Sequence, residues 1–149
     1  MNAGEICSRI LVVAERNTPV QQAAKLMRDH HIGSLVVTEG SAAARRPVGI
    51  VTDRDMVIEV VAAGVDYRTL TVGDVMSERL DTVRESAGLF ESVAQMRRCG
   101  VRRLVVVDAS ARLVGVVAMD DLIAVLAEEL SALAQAINVE QRQEAKRRR

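Results

Sequence analysis

The sequence has 149 residues, of which 49% are hydrophobic, with 20 Lys and Arg balanced by 20 Asp and Glu. A chain of this size forms one ordinary domain or two very small ones that share a core. The balanced charge excludes a global field that would steer the protein to nucleic acid or an acidic membrane, and the two aromatic residues, Tyr67 and Phe90, exclude a stacking platform for bases.

The first half of the chain predicts a strand and then a helix. The strand is expected near 11–14. Thr18-Pro19 has the residue types of a helix start, with Thr18 as the N-cap and Pro19 at the first helical position, and the helix should run to about His30. One face of this helix is expected to carry Val20, Ala23, Ala24 and Met27.

Two buried strands and a second helix should follow. Compact apolar runs at 34–38 and 48–52 are typical of buried strands. The second helix is expected at about 53–63, with Gly64 as its C-terminal stop. The resulting order is β-α-β-β-α.

The second half of the chain repeats the first. Gly4–Ser8 resembles Gly73–Ser77, an offset of 73 − 4 = 69 residues, and the same offset pairs Leu35–Val37 with Leu104–Val106. The corresponding elements are strands at 82–84, 103–108 and 113–118, a helix at 88–99 and a helix from Met119. The predicted organisation is repeat 1 at 4–64, a linker at 65–72, repeat 2 at 73–130 and a helical extension at 131–149.

The extension carries an apolar stripe and a basic end. Leu126, Leu130, Leu133 and Ile137 recur at helical spacing, so the last helix should continue and pack on its own core or on a partner. The cluster 146–149 is either a solvated tail or a contact for nucleic acid or acidic lipid. No uninterrupted apolar run reaches the length of a membrane span and no secretory signal is recognised, so we expect a cytoplasmic protein.

The segment Val48–Asp55 allows two interpretations. In the first, Thr52 and Asp55 cap a helix: Thr52 accepts from the amide of Asp55, whose charge suits the first turn. In the second, the same helix start binds a ligand, with Thr52 donating to phosphate, Asp55 accepting from ribose hydroxyls, and Gly49 letting the backbone approach the ligand. The two interpretations are compatible.

Two β-α-β-β-α repeats, each ending in G-h-h-[ST]-x-x-D-h with h apolar, resemble the CBS domains, and a tandem pair resembles a Bateman module. The motif residues lie in 48–56, 73–77, 100–108 and 114–122. The resemblance implies an α/β fold in which two repeats pack through their sheets with pseudo-two-fold symmetry. It also implies two clefts for an adenosine ligand such as AMP, ADP, ATP, NAD or S-adenosylmethionine, and a homodimer.

Carried onto this chain, the resemblance assigns phosphate to Thr52 and ribose to Asp55. Across the cleft Arg102, with Arg103 beside it, would reach the phosphates. Adenine would lie against Ile50 and the backbone near Leu80 and Asp81. The second cleft should be weaker, because Ala118 replaces the Thr and Gly33 replaces the Arg, which leaves Asp121 as its ribose contact.

The remaining candidates are weaker. Cys7 and Cys99 are expected to be free thiols, although a single disulfide or a redox role for Cys99 stays open. His30 and His31 have no local partners for a metal, so no metal site is predicted. No catalytic motif occurs, so we expect a non-catalytic regulatory module that senses an adenine nucleotide and acts on an unidentified protein; the alternative is an interaction or dimerisation module without a ligand.

Overall fold

The computed structural model describes residues 1–9 and 11–148. The elements in chain order are α1 (Ala3–Ile6), β1 (Val13–Ala14), α2 (Val20–His30), β2 (Ser34–Glu39), β3 (Arg46–Thr52), α3 (Asp53–Asp55), a π-helical segment (Met56–Ala62), a 3-10 turn (Tyr67–Thr69), α4 (Val72–Val75), β4 (Thr82–Arg84), α5 (Leu89–Cys99), β5 (Arg103–Val107), β6 (Leu113–Ala118) and α6 (Met119–Arg147). The β-α-β-β-α order of both repeats is confirmed.

Each repeat forms a three-stranded sheet of the same design. In β1-β2-β3 the first pair is parallel and the second antiparallel, and β4-β5-β6 repeats this arrangement. The sheets meet through Val36 of β2 and Val105 and Val107 of β5. The predicted packing of the repeats through their sheets is therefore confirmed.

The two repeats exchange their leading segments. Val72 and Val75 of α4 lie in the core of the first repeat, whereas Ala3 and Cys7 lie in the core of the second. Each segment is also bonded to the far sheet through a residue that follows the short helix: Ile50 and Ser77 exchange two backbone bonds of 3.0 and 2.9 Å. Neither repeat therefore completes its own core.

Glycines in the edge strands make this exchange possible. A Cβ at Gly49 would lie 2.7 Å from the carbonyl oxygen of Ser77 and 2.9 Å from the methyl of Met76. At Gly115 a Cβ would lie 2.6 Å from the carbonyl oxygen of Ser8. The prediction that Gly49 leaves room for a ligand is wrong, because the leading segment of repeat 2 occupies that space.

The start of α2 differs from the predicted one. Pro19, with extended ψ of 140°, occupies the N-cap position and the helix begins at Val20. The Thr18 hydroxyl instead accepts from the N–H of Glu15 at 3.0 Å, in the turn before the helix. Thr18 is therefore not the helix cap, because its side chain closes the preceding turn.

The buried face of α2 is confirmed at three of its four predicted positions. Val20, Ala23 and Met27 are buried, but Ala24 is exposed and Leu26 packs against the core instead. Residues 20, 23 and 27 lie on one side of a helix with 3.6 residues per turn, and residue 24 lies just outside the buried face.

The second helix of repeat 1 is present, but most of it is π-helical, with more residues per turn than the expected α-helix. One α-turn, Asp53–Asp55, leads into the π-helical segment, whose Ala63 cap precedes Gly64 at φ +67°. Gly64 thus ends the helix as predicted, since a left-handed residue after the last turn is the usual place for glycine. The π-helical segment leaves Val57, Ile58 and Val61 exposed.

The last helix is long and mostly exposed. Leu122 is the only residue of α6 that is buried among the described residues, and Leu126 is half-buried against α5. By length and composition alone α6 passes the test for a membrane span, which the sequence analysis did not expect because Glu128 and Glu129 interrupt the apolar run. One exposed helix that passes this test is weak support for a span. Of the basic end, residue 149 lies outside the described residues.

Candidate ligand cleft between the repeats

The Thr52–Asp55 motif forms a complete helix cap. The N–H of Asp55 donates to the Thr52 hydroxyl at 3.1 Å, while Asp55 Oδ2 accepts from the Thr52 N–H at 2.8 Å and from its hydroxyl at 2.9 Å. The capping interpretation is confirmed. A ligand phosphate would have to redirect the one hydroxyl proton of Thr52 away from Asp55.

The other amides at this helix start are also bonded within the protein. The N–H of Asp53 donates to the carbonyl of Gly33 at 3.0 Å, and the N–H of Arg54 donates to Asp53 Oδ1 at 2.8 Å. Helix starts bind anions through amides that lack protein acceptors. The start of α3 therefore offers few of them in this conformation.

The equivalent start of α6 is less occupied. The N–H of Met119 donates to the carbonyl of Arg102 at 2.9 Å, as Asp53 does to Gly33. Ala118 has no hydroxyl to accept from the N–H of Asp121, but its own N–H donates to Asp121 Oδ2 at 2.8 Å. Asp121 is half-buried with its orientation fixed by this bond.

A cavity of ≈ 330 Å³ opens beside Asp121 and is lined by both repeats. Of the predicted site residues, it collects Ile50, Arg103 and Asp121. Its remaining lining residues are Ser8, Leu11, Val12, His30, His31, Ile32, Gly33, Ser34, Val36, Val116 and Ala118. The lining thus combines polar side chains with aliphatic ones, and the aliphatic ones are partly or fully buried.

The other predicted residues lie apart from this cavity. Five cavities of the described residues have linings that include neither Thr52 nor Asp55. The exposed Arg102 guanidinium lies 3.3 Å from Asp120 of its own repeat rather than across the cleft. Leu80 packs between the two sheets.

Asp81, which follows Leu80, interacts with Val105 and Cys99. Its carbonyl accepts from the N–H of Val105 at 3.0 Å. Its carboxylate accepts a hydrogen bond from the Cys99 thiol and, with its negative charge, raises the pKa of that thiol above 9.0; partial burial acts in the same direction. Both cysteines are free thiols, as predicted.

His30 and His31 are cavity residues that the sequence analysis considered only as metal ligands. The 69-residue offset aligns them with Cys99 and Gly100, which occupy the same helix end in repeat 2. This alignment could have placed them beside a cleft. Among the described residues, no group of three or more His, Cys, Asp or Glu is arranged to hold a metal ion.

The family model for the CBS domain matches this sequence twice, at residues 3–62 and 72–128. An uncharacterized protein of Methanopyrus kandleri is 34% identical over 125 residues, which are 84% of this chain and 62% of the relative. The chain thus spans less than two thirds of that relative's length.

One further relative and one structural neighbour have solved structures. Hypoxic response protein 1 of Mycobacterium tuberculosis is 37% identical over 82% of this chain and 78% of its own. Its crystal structure, with two coordinated zinc ions, has a TM-score of 0.70 and covers 83% of this chain and 98% of that one. The second structure is the CBS domain pair of protein MJ0100 in complex with 5′-methylthioadenosine and S-adenosyl-L-methionine. It has a TM-score of 0.71 at 23% identity, and the match covers 85% of this chain and 99% of that one, which shows a shared fold.

Proposed function

The chain belongs to the CBS-domain family as a tandem pair, and from this premise we propose that it is a non-catalytic regulatory module that binds an adenosine-containing ligand between its repeats. The observation that carries the proposal is the cavity beside Asp121. Its volume of ≈ 330 Å³ falls in the range of small-molecule sites. Because both repeats line it, a ligand held there would contact both.

The lining chemistry suits a nucleoside with an anionic group. The carboxylate of Asp121 would accept from the two ribose hydroxyls, and Arg103 would bind phosphate or carboxylate. Ile50, Val36 and Val116 would pack on the two faces of the base, which needs aliphatic contacts in a chain with so few aromatic residues. Each charge-assisted bond is worth about 1.5–3 kcal/mol when water is excluded.

The cleft at Thr52, Asp55 and Arg102 is the second candidate position. It keeps the hydroxyl that Ala118 lacks, so its motif is the more complete one. Occupation would require the Thr52 hydroxyl to leave Asp55 Oδ2 and the Arg102 guanidinium to leave Asp120. The Asp121 cavity requires neither change, and for that reason we place it first.

The ligand class is an adenosine compound: AMP, ADP, ATP, NAD, S-adenosylmethionine or 5′-methylthioadenosine. The complex of MJ0100 with the last two supports this class for the fold. A ligand that touches both repeats favours one relative position of the sheets, and it shifts the population by its difference in affinity for the two positions. A partner protein in the cytoplasm would read this shift, and a homodimer would present two such modules.

Thermal unfolding with each of the six compounds tests the proposal. A ligand at 100 times its Kd adds about 2.7 kcal/mol of stability, which raises Tm by roughly 5–11 °C for a chain of this size. The compared proteins are wild type, Asp121→Ala and Asp55→Ala. The ligand-induced shift of each is measured from its own ligand-free Tm, because each substitution also removes a helix-capping bond and so changes that Tm. A shift lost only in Asp121→Ala supports the cavity, and one lost only in Asp55→Ala moves the ligand to the second position.

No shift with any compound would overturn the sensor proposal. The result would favour the alternative, a protein-interaction module without a ligand. Isothermal titration of the wild type at the highest soluble ligand concentration is the control for a ligand that binds folded and unfolded chains alike.

A further inference from the structure

A second cavity, of ≈ 320 Å³, lies at the start of β6. Leu113 and Val114 line it, whereas the cavity beside Asp121 takes its β6 residues from the second half of the strand. Among the described residues, Leu11 alone lines both cavities. The two are therefore separate binding spaces.

Three arginines from different parts of the chain, Arg9, Arg45 and Arg112, line this space, which we name the arginine cavity. Arg45 lies in the loop between β2 and β3 of the first repeat, and Arg112 lies in the loop between β5 and β6 of the second. The N–H of Leu113 donates to the carbonyl of Arg45 at 2.9 Å, which fixes one loop against the other. Both repeats are therefore needed to form the cavity.

The arginine cavity carries an excess of positive charge. Among the described residues that line it, Asp108 supplies the one carboxylate, so the formal charge of the lining is 3 − 1 = +2. The whole chain, with 20 basic and 20 acidic residues, is neutral. The excess is therefore local and does not reflect a generally basic protein.

The carboxylate of Asp108 is occupied within its own loop. Its Oδ1 accepts from the N–H groups of Ser110 and Arg112 at 2.8 and 2.9 Å, and its Oδ2 accepts from Nε of Arg112 at 2.7 Å. This carboxylate orients the Arg112 guanidinium. The two terminal amino groups of that guanidinium have no acceptor in the part of the chain that the structure describes, and they are available to a ligand.

Arg9 and Arg45 are not paired with a carboxylate. A terminal amino group of Arg9 donates to the carbonyl of Gly4 at 2.9 Å, but no ion pair joins Arg9 or Arg45 to a described Asp or Glu. Arg16, by contrast, forms two ion pairs. Like charges around one cavity repel each other, and an anion that binds between them offsets the repulsion.

The donors of the arginine cavity suit phosphate, because a guanidinium presents paired N–H groups that match phosphate oxygens. We propose that this cavity binds a compact anion with two or more phosphate groups, held by Arg9, Arg45 and Arg112. The recognised chemistry is a linear di- or triphosphate, either free or at the end of a nucleotide. The proposal does not rest on a ligand in either cleft.

Isothermal titration with sodium tripolyphosphate at constant ionic strength tests the site. Arg45→Gln should raise Kd about 10- to 150-fold, because one charge-assisted bond is lost. Arg46→Gln removes the same charge from the next residue, which does not line the cavity. It should change Kd by about twofold at most, since salt screens charges that do not contact the anion. Circular dichroism and the thermal midpoint check that both variants remain folded.

Chemical modification tests the site in the wild type, without any substitution. Phenylglyoxal reacts with accessible arginines, and mass spectrometry gives the rate at each one. Tripolyphosphate should slow the modification of Arg9, Arg45 and Arg112. The rate at Arg142, exposed on α6, should stay unchanged.

A comparison of ATP with tripolyphosphate identifies the source of the phosphate. The compound with the lower Kd for the wild type is the better model of the ligand, provided that Arg45→Gln weakens its binding. Adenosine, which has no phosphate, should bind the wild type and Arg45→Gln equally.

Three results would overturn the proposal. The absence of both saturable heat and protection from phenylglyoxal would show that the cavity holds no phosphate compound. An equal rise of Kd in Arg45→Gln and Arg46→Gln would show a diffuse attraction to surface charge. A loss of adenosine binding in Arg45→Gln would show that the cavity recognises the nucleoside instead.

Discussion

The N–H of Ser8 donates to the carbonyl of Val116 at 2.9 Å, and the N–H of Val116 donates back to the carbonyl of Ser8 at 3.1 Å. This pair binds the leading segment of the first repeat to the sheet of the second. It brings the Ser8 carbonyl and the Cys7 Sγ each to 2.6 Å from where a Cβ on Gly115 would lie. Real Cβ atoms essentially never approach other atoms so closely, so the position requires glycine.

Gly115→Ala is expected to reduce the free energy of unfolding by about 1–3 kcal/mol, because the methyl group overpacks a buried contact with backbone on one side. Urea denaturation followed by circular dichroism measures the loss. Gly88→Ala is the matched control, since nothing lies within 4 Å of its Cβ position. If the two substitutions reduce the free energy of unfolding equally, the segment at Cys7 and Ser8 must shift at little cost to make room for the methyl group, and the prediction is wrong.

Ala118→Thr is expected to stabilise the protein. Ala118 has the backbone of an N-cap, with φ −100° and ψ 157°, close to the −117° and 162° of the capping Thr52. A hydroxyl there would accept from the N–H of Asp121 and add about 0.5–2 kcal/mol, or roughly 2–4 °C of Tm per kcal/mol. Ala118→Val supplies the same shape without the oxygen, and an equal gain in that variant would exclude the cap as the cause.

Asp81→Asn is expected to make Cys99 react faster with iodoacetamide. The Asp81 carboxylate raises the pKa of the Cys99 thiol by accepting its hydrogen bond, so removing the negative charge increases the thiolate fraction at a given pH. Alkylation at pH 7.5, followed by mass spectrometry, gives the rate. Asp108→Asn controls for the loss of one charge elsewhere, and identical rates in all three proteins would refute the contact.

The same thiol can report which cleft a ligand occupies. Asp81, whose carboxylate raises the pKa of Cys99, is a residue that the family resemblance assigns to the same cleft as Thr52. A ligand beside Leu80 and Asp81 should slow its alkylation, whereas a ligand in the Asp121 cavity should leave the rate unchanged. Slowing by a ligand whose thermal shift depends on Asp121 would contradict the cavity assignment.

Acid is expected to weaken the fold through the helix cap at Asp74. The N–H and the hydroxyl of Thr71, bonded at 2.8 and 3.0 Å, lower the pKa of Asp74 below 3.8. A carboxyl with a depressed folded pKa contributes stability above its unfolded pKa and loses it as pH falls through the folded value. Urea midpoints between pH 7 and pH 3 should therefore fall less in Asp74→Asn than in wild type. Glu144→Gln, on exposed α6, should follow the wild-type curve.

The order and most bounds of the elements follow from local chemistry. The runs at 82–84 and 113–118 are strands as predicted, and α5 ends at Cys99 because Gly100 adopts the left-handed cap at φ 68°. These features depend on hydrophobic periodicity and on glycine or proline at the ends of helices and strands. Local pattern predicts them well because few tertiary contacts are needed to fix them.

The exchange of leading segments and the better-formed cleft could not be predicted in this way. Gly49 has the same sequence signal whether its space admits a ligand or the chain at Ser77. The sequence motif predicted a weaker second cleft because Ala118 replaces the Thr. The cavity beside Asp121 exists because residues of both repeats line it, and the motif does not contain that information. Both features depend on which surfaces meet, and periodicity carries no information on that.

Because the two leading segments cross, each core contains residues of the other repeat, and we expect neither repeat to fold alone. A fragment cut near the 3-10 turn would keep α1, which fits only the other fragment, and would lack α4, which supplies Val72 and Val75 to its own interior. Two such fragments are complementary and should reassemble when mixed. A lone ancestral repeat would have needed a twin to complete it, and the present chain holds both twins on one polypeptide.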